Sequence, residues 1–349
     1  MINNSFFSTV IIRWFRENGR DLPWRETRDP YAIWLSEIIL QQTRIAQGWE
    51  YWERFMQTYP KVEDLAAASE DDVLKLWQGL GYYSRARNLH TAAKQIVALG
   101  DFPNTLEGIK SLKGVGDYTA AAIGSFAFGI PAAVVDGNVY RVLSRYFGID
   151  TPINSTQGKK EFAALAQSLL PASDAASYNQ GMMDFGAIQC TPQSPKCLLC
   201  PLAETCEALR CGRVEELPVK NKTVKVKTRH LSYIYIRCKS SAADGAGNTE
   251  PMVAIHRRGE GDIWQGLWEP YNVSDFKELP SFVKNPILLA KDVKHLLTHR
   301  ILLADFYLLE TETCPQLPDD YIWIRESEIE DYGVPRLIEI MLEKINSAE

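Results

Sequence analysis

Among the side chains able to do chemistry, the cysteines are the most tightly grouped. Seven occur in the 349 residues, at positions Cys190, Cys197, Cys200, Cys206, Cys211, Cys238 and Cys314, and five of them lie between 190 and 211. The pattern Cys190-x6-Cys197-x2-Cys200-x5-Cys206 brings four soft thiolates together within 17 residues, and Pro192, Pro195 and Pro201 stiffen the turns between them. Such spacing points to a metal site, with an iron–sulfur cluster or a tetrahedral zinc ion as the occupant. An odd, clustered set in a chain without an export signal argues against disulfides. Spacing alone leaves Cys206 and Cys211 open as the fourth ligand.

Two carboxylates stand out next. Glu37 lies in a largely apolar stretch from Tyr31, and helical spacing puts Glu37, Gln41 and Arg44 on one stripe that faces either water or a substrate. Asp136 follows the apolar pair Val134 and Val135 at the head of another helix, where an aspartate is a preferred N-cap and needs no chemistry to explain it. Between them, Gly114-Val115-Gly116 precedes a helix in a way that lets backbone amides point outward at a phosphate; an ordinary tight turn is the alternative.

The elements that must position these groups are mostly helices. Apolar residues recur at helical spacing over 6–18, 31–59 with a break near Gly48, 70–78, 84–99, 105–112, 119–128, 138–147, 159–170 and 178–188. From position 218 to 229 the composition shifts to Lys220, Lys222, Lys225, Lys227 and Arg229 with no acidic residue, which reads as an extended basic linker. Beyond it, alternation predicts strands at 231–237, 252–257, 300–309 and 321–324, a mobile loop at 240–249 and a closing helix at 335–345.

A length of 349 residues favours two domains, and an apolar fraction of 46% excludes global disorder. The net charge of −6 argues against a protein held on nucleic acid by bulk charge, although local basic clusters still suit phosphates. Arg13 and Arg16 interrupt the apolar opening stretch, so neither a signal peptide nor a membrane span is expected, and a cytoplasmic protein is the default.

Taken together, these motifs resemble a known family. The six-two-five cysteine spacing is similar to the [4Fe–4S] loop of the endonuclease III and MutY glycosylases, and the resemblance selects Cys206 over Cys211. The glycine hairpin followed by Asp136 resembles the helix-hairpin-helix and aspartate of that superfamily, and Ser36-Glu37-x3-Gln41-Gln42-Thr43 matches the MutY signature. The likeness spans about residues 6 to 210 and continues weakly to the end. Trp264-Gln265-Gly266-Leu267-Trp268-Glu269 resembles the core of a Nudix fold, but no Arg-Glu-x2-Glu-Glu metal box accompanies it, which fits recognition better than nucleotide hydrolysis.

The resemblance implies a multidomain protein: an all-α, two-lobed helix-hairpin-helix glycosylase domain with a [4Fe–4S] loop at 1–212, a basic linker at 213–229, and a C-terminal α/β Nudix-like domain at 230–349. The six-helix lobe would run from about 28 to 134, and the cluster lobe would combine the N-terminal segment with 135–212. It further implies a bacterial, nucleoid-associated and monomeric base-excision enzyme that removes adenine from double-stranded DNA where it is mispaired with 8-oxoguanine or guanine. Glu37 would be the catalytic acid and Asp136 the stabiliser of the cationic sugar, with Tyr118 and Asn138 alongside. Trp24, Arg25 and Gln180 would line the adenine pocket. Gln42, Thr43, Leu80, Tyr82, Arg85, Arg87, the hairpin Gly114, Val115 and Gly116, and the lesion-reading Thr298 and His299 would contact DNA.

Bifunctional relatives have a Schiff-base lysine at the position of Tyr118, so strong lyase activity is not expected. Leu297 stands where the family's lesion-reading loop has phenylalanine. The rival readings are a thymine or pyrimidine glycosylase, a non-catalytic lesion sensor and a zinc-bound adaptor.

Overall fold

A computed structural model describes residues 4–221, 226–239, 250–274, 276 and 278–348. The loop at 240–249, with Lys222 and Lys225 of the basic stretch, falls outside these residues. The chain divides into two compact units, one of Met1–Ala66 with Thr91–Lys222 and one of Ala67–His90 with Thr223–Glu349.

Helices run α1 (Asn4–Asn18), α2 (Pro30–Ile39), α3 (Ile45–Thr58), α4 (Val62–Ala67), α5 (Glu70–Leu76), α6 (Ser84–Leu99), α7 (Leu106–Lys110), α8 (Asp117–Phe128), α9 (Gly137–Phe147), α10 (Thr156–Leu169), α11 (Ala175–Asp184) and α12 (Glu207–Arg210). Side-chain caps fix several of their starts: Asp29 accepts from the Tyr31 amide, Thr105 from Gly108, Asp136 from Val139 and Ser155 from Gly158. Each such cap contributes about 1 kcal/mol. In the first unit, Phe7 and Ile11 of α1 pack with Val142, Leu143 and Tyr146 of α9, Phe162 of α10 and Phe185 after α11. This core holds the cysteine loop and Asp136 against one frame.

The expected break near Gly48 falls instead at residues 40–44, where Gln42 takes a φ of 61°, and Gly48 lies inside α3. Close packing rather than flexibility accounts for this glycine, because a Cβ there would stand 2.6 Å from Leu40 Cδ2. Since α2 ends at Ile39, Glu37, Gln41 and Arg44 do not form a helical stripe; Gln41 and Arg44 belong to the turn that follows.

In the second unit, strands β1 (Lys227–Cys238), β2 (Met252–Arg257), β3 (Trp268–Glu269), β4 (Tyr271–Asn272), β5 (Ile287–Leu297), β6 (Arg300–Thr311) and β7 (Tyr321–Arg325) form one sheet with the main order β3-β2-β1-β6-β5. β1 pairs parallel with β6, with Lys227 opposite Arg300 and Cys238 opposite Thr311, while β2, β4, β5 and β7 join antiparallel. Alternation along β1 sends Tyr233 and Tyr235 to one face, under α13 (Arg336–Ala348), and Ile234 and Ile236 to the other.

Three features depart from the sequence reading. β1 begins at Lys227, so Lys227 and Arg229 of the supposed linker belong to the sheet. β5 went unrecognised because Lys291, Asp292 and Lys294 break its alternation on a largely exposed edge with two register shifts. Residues 67–90, expected inside the helical domain, group with the sheet: Arg257 pairs with Glu70 at 2.9 Å and Asp71 at 3.1 Å. Among the described residues no helix is long and apolar enough to cross a membrane.

Candidate active site and metal centre

A cleft of about 820 Å³ in the first unit gathers residues from distant parts of the sequence. It is lined by Trp24, Arg25, Glu37, the turn from Gln41 to Arg44, Tyr118, Asp136, Asn138, Arg141 and Gln180. All four expected catalytic side chains and all three expected pocket residues therefore border one space. Gln42 and Thr43 sit on its rim, with Gln42 exposed and Thr43 half-buried.

Glu37 is buried in the last turn of α2 among Trp34, Ile38 and Ile39, which are themselves buried. Burial pushes its carboxyl up from 4.5 to about 7. The hydroxyl of Tyr118, in the first turn of α8, donates to Glu37 Oε2 at 3.0 Å and pulls in the opposite direction; the Asp136 carboxylate adds to the rise. Burial between two carboxyl groups keeps Tyr118 a neutral phenol, well above its ordinary titration range.

Asp136 does cap α9, as residue preference alone suggested: Oδ1 accepts from the Val139 amide at 2.8 Å, and Oδ2 accepts from Asn138 Nδ2 at 2.7 Å. Burial raises its pKa, and those donors together with the nearby Arg141 charge hold the rise back. The two carboxyls thus sit in different surroundings. Glu37 faces apolar neighbours and a single phenol; Asp136 has amide donors and a cation. Burial acts on both, and Asp136 has the more donors to offset it.

Arg25 borders the cleft, but its guanidinium is not presented there as a free reader of a base. Nη1 and Nη2 form a fork on Asp184, at 2.8 and 2.9 Å, and Arg20 grips the same carboxylate. Burial alone would raise the pKa of Asp184, and the two arginines outweigh it and pull it below the ordinary value. Trp24 is buried, edge-on to Trp49 and Trp52 with ring centroids 6.0 and 5.7 Å away. Arg20 and Asp184 were not singled out from sequence, and no spacing signals them; only their meeting across 164 residues reveals the pair.

The four cysteines of the six-two-five pattern line a small cavity with Arg145 and Lys196, while Cys211 is exposed and bonded to Glu207. Cys206, and not Cys211, thus lies with the other three. Four thiols lining one space form an all-sulfur donor set. The donor set therefore fits a polynuclear iron–sulfur centre, whose bound metal would cross-link the loop through four thiolate bonds.

Arg141 ties this centre to Asp136. Its Nε donates to the Cys190 carbonyl at 2.8 Å, and Nη2 donates to Asn138 Oδ1 at 2.8 Å and to the Gly186 carbonyl at 2.6 Å. Gly186 comes so near α9 that a Cβ would lie 2.6 Å from Asn138 Cβ. The signal for Arg141 was available: with Arg145 it forms an i,i+4 pair of arginines on a helix whose Val142, Leu143 and Tyr146 are core.

The expected DNA-facing residues divide. The hairpin is formed, with Gly114 at a φ of 79° and Gly116 at the start of α8 without a side-chain cap, but the Val115 side chain is buried. In the second unit Tyr82 is 49% exposed at a φ of 48°, and its hydroxyl meets Thr298 Oγ1. Thr298 and His299 form the exposed two-residue turn between β5 and β6. Leu80 is buried. The expectation that Arg85 serves phosphates needs correction. Arg85 is buried over the Trp77 and Tyr82 rings, burial lowering its pKa to about 10, and Arg87 donates to the Gln265 carbonyl at 2.6 Å. Arg85 serves the interior of the second unit, while Arg87 is half-buried.

Residues 35–171 match the HhH-GPD superfamily base excision DNA repair protein model, 190–206 the iron–sulfur binding domain of endonuclease III, and 247–344 the NUDIX domain. Adenine DNA glycosylases of Buchnera aphidicola (subspecies Acyrthosiphon pisum) and Homo sapiens are 39% and 42% identical over 62% and 60% of this chain. Those alignments span 62% and 41% of the relatives' own lengths. The adenine DNA glycosylase of Buchnera aphidicola subspecies Schizaphis graminum is 30% identical over 350 residues, 97% of this chain and 98% of the relative. A thermostable thymine-DNA glycosylase structure superposes with a TM-score of 0.56 at 34% identity, covering 60% of this chain and 97% of that one. An endonuclease III–DNA covalent intermediate shares the fold at a TM-score of 0.53 and 23% identity, over 61% of this chain and 99% of that one. Joined along its whole length to such a relative, and carrying the superfamily's helical core and cysteine loop, the chain belongs to the adenine DNA glycosylase family.

Proposed function

We propose that this protein hydrolyses the N-glycosidic bond of adenine in duplex DNA, taking adenine opposite 8-oxoguanine and opposite guanine. The observation that carries this reading is the pair of unlike carboxyls in one cleft: Glu37, buried and held near 7, and Asp136, anchored as an anion at the head of α9.

Adenine leaves deoxyribose poorly, so the reaction needs a proton on the base and negative charge beside the sugar. Glu37 delivers its proton to the Hoogsteen-side nitrogen of the five-membered ring. The bond from the anomeric carbon to the base then breaks, its electron pair going to adenine. Asp136 stabilises the resulting oxocarbenium ion by charge or a transient bond, and the Glu37 carboxylate takes a proton from the attacking water. Tyr118 holds Glu37 through its 3.0 Å hydrogen bond. Because Tyr118 is no amine, hydrolysis ends the reaction and the strand stays intact.

The base reaches the cleft by flipping, at a cost of a few kcal/mol that wedging by Gln42 and Tyr82 offsets. Both have left-handed backbones, with φ of 61° and 48°. Trp24 and Gln180 border the flipped purine, with Arg25 fixed behind them by Asp184. The start of α8, uncapped by any side chain at Gly116 after the turn at Gly114, takes a phosphate. Residues 230–349 form the lesion-recognition domain, reading 8-oxoguanine with Thr298 and His299, where the Thr298 hydroxyl supplies polarity and Leu297 supplies apolar packing. The protein acts as a monomer on nucleoid DNA.

Release of free adenine from a duplex with one A·8-oxoguanine pair, compared between wild type and Glu37→Gln, tests the reading. Adenine from the wild type alone is expected. Thymine release from a mismatched duplex, or activity in Glu37→Gln, would overturn it.

A further inference from the structure

Arg145, one turn beyond Arg141 on α9, is 3% exposed, and among the described residues no carboxylate forms an ion pair with it. Its acceptors come from two segments. Nη1 reaches Cys190 Sγ at 3.4 Å and the Thr191 carbonyl at 2.7 Å, and Nη2 reaches the Pro192 carbonyl at 3.1 Å. Nε is shared between the carbonyls of Val214 at 2.9 Å and Leu217 at 3.1 Å. The Cys206 thiol in turn meets the Arg145 carbonyl at 3.6 Å. One residue therefore touches the first and last cysteines of the loop as well as the segment by which the chain leaves the helical unit. That segment is further held where Val219 accepts from the Ile153 amide at 3.0 Å and Asn221 bonds to Asn154.

A buried guanidinium without a counter-ion is costly, and carbonyl dipoles only partly replace one. Four of its five acceptors are carbonyls, and the fifth is the sulfur of Cys190. A metal bound by the four cysteines would fix that sulfur, and the loop carbonyls beside it, in place against the guanidinium. From this we infer that Arg145 is a positioning residue that couples metal loading of the cysteine loop to ordering of the exit segment at 213–221. With the loop fixed by metal the guanidinium is held and both segments close on it; without the metal the contacts at Cys190 to Pro192 weaken and the exit segment loosens. The inference rests on the iron–sulfur reading of the loop but not on the glycosylase chemistry.

Hydrogen exchange on the full chain tests this, comparing the protein as purified, the same protein stripped of its iron by oxidation and chelation, and Arg145→Lys. Lysine keeps the charge but cannot fork across five acceptors. Amides in 213–221 are expected to exchange about tenfold faster in the stripped protein and in Arg145→Lys, the loss of roughly one hydrogen bond's worth of protection. Exchange in α13 should stay unchanged. Unaltered exchange at 213–221 after stripping would overturn the inference, even if Arg145→Lys failed to fold. Iron and acid-labile sulfide are measured on the wild type in parallel. Their absence would overturn the cluster assignment and the inference with it, whereas iron present with unaltered exchange overturns the inference alone.

Discussion

Replacing Glu37 by glutamine should make the protein more stable while abolishing excision. The Glu37 carboxyl rises from 4.5 to about 7 because burial disfavours its charged form. A rise of that size corresponds to ~3 kcal/mol at about 1.4 kcal/mol per pKa unit. In the unfolded chain the group ionises near 4.5, while the fold holds the proton until about 7. Stability from this group is therefore full at low pH, falls as pH climbs between those values, and stays at its lower level above 7. Glutamine carries no charge and still accepts the Tyr118 hydrogen bond. Urea unfolding at pH 5, 6, 7 and 8, followed by circular dichroism, should show the variant gaining on the wild type with rising pH. The gap should be small at pH 5 and reach ~3 kcal/mol by pH 8. A gap independent of pH, or a variant less stable at pH 8, would refute the assignment of Glu37 as a buried carboxyl held protonated by its surroundings.

The same group sets the rate: single-turnover excision should fall about tenfold per pH unit above 7 as Glu37 loses its proton. Tyr118→Phe removes a hydrogen bond that lowers the Glu37 pKa, so the alkaline limb should move to higher pH; a limb that stays put would deny Tyr118 that role. Asp136→Asn keeps the helix cap and loses a charge that burial disfavours, so its unfolding midpoint should not fall below the wild type's while excision drops by several orders of magnitude. Asp136→Ala loses both, with a stability cost of about 1 kcal/mol, and equal stability of the two variants would deny the cap. Asp184→Asn leaves Arg20 and Arg25 without their shared anion and should destabilise by ~3 kcal/mol in urea unfolding. A loss under 1 kcal/mol would mean that water replaces the pair.

What could be read in the one-dimensional chain was whatever is set by local spacing. Four cysteines within 17 residues must lie close together, and a glycine hairpin or an aspartate before a helix is fixed by neighbouring residues. Capping, turn geometry and helical periodicity act over a few residues, so the starts of α6 and α9 and the roles of Asp136 and Gly114 were legible. The limits appeared where a residue's neighbours are distant. Gly48 looked like a break and is a packing contact. Arg85 looked like a phosphate ligand and is buried over the Trp77 and Tyr82 rings. The edge strand β5 hid behind its exposed lysines.

Sequence by itself determined the inventory: two carboxyls, a phenol where bifunctional relatives have an amine, and a four-thiol loop. Tertiary structure decided which groups are charged and which are already occupied. Desolvation of Glu37, the capture of Arg25 by Asp184 across 159 residues, and the closing of Arg145 on both the cysteine loop and the exit segment depend on the field made by distant atoms. Chain order does not encode that field residue by residue.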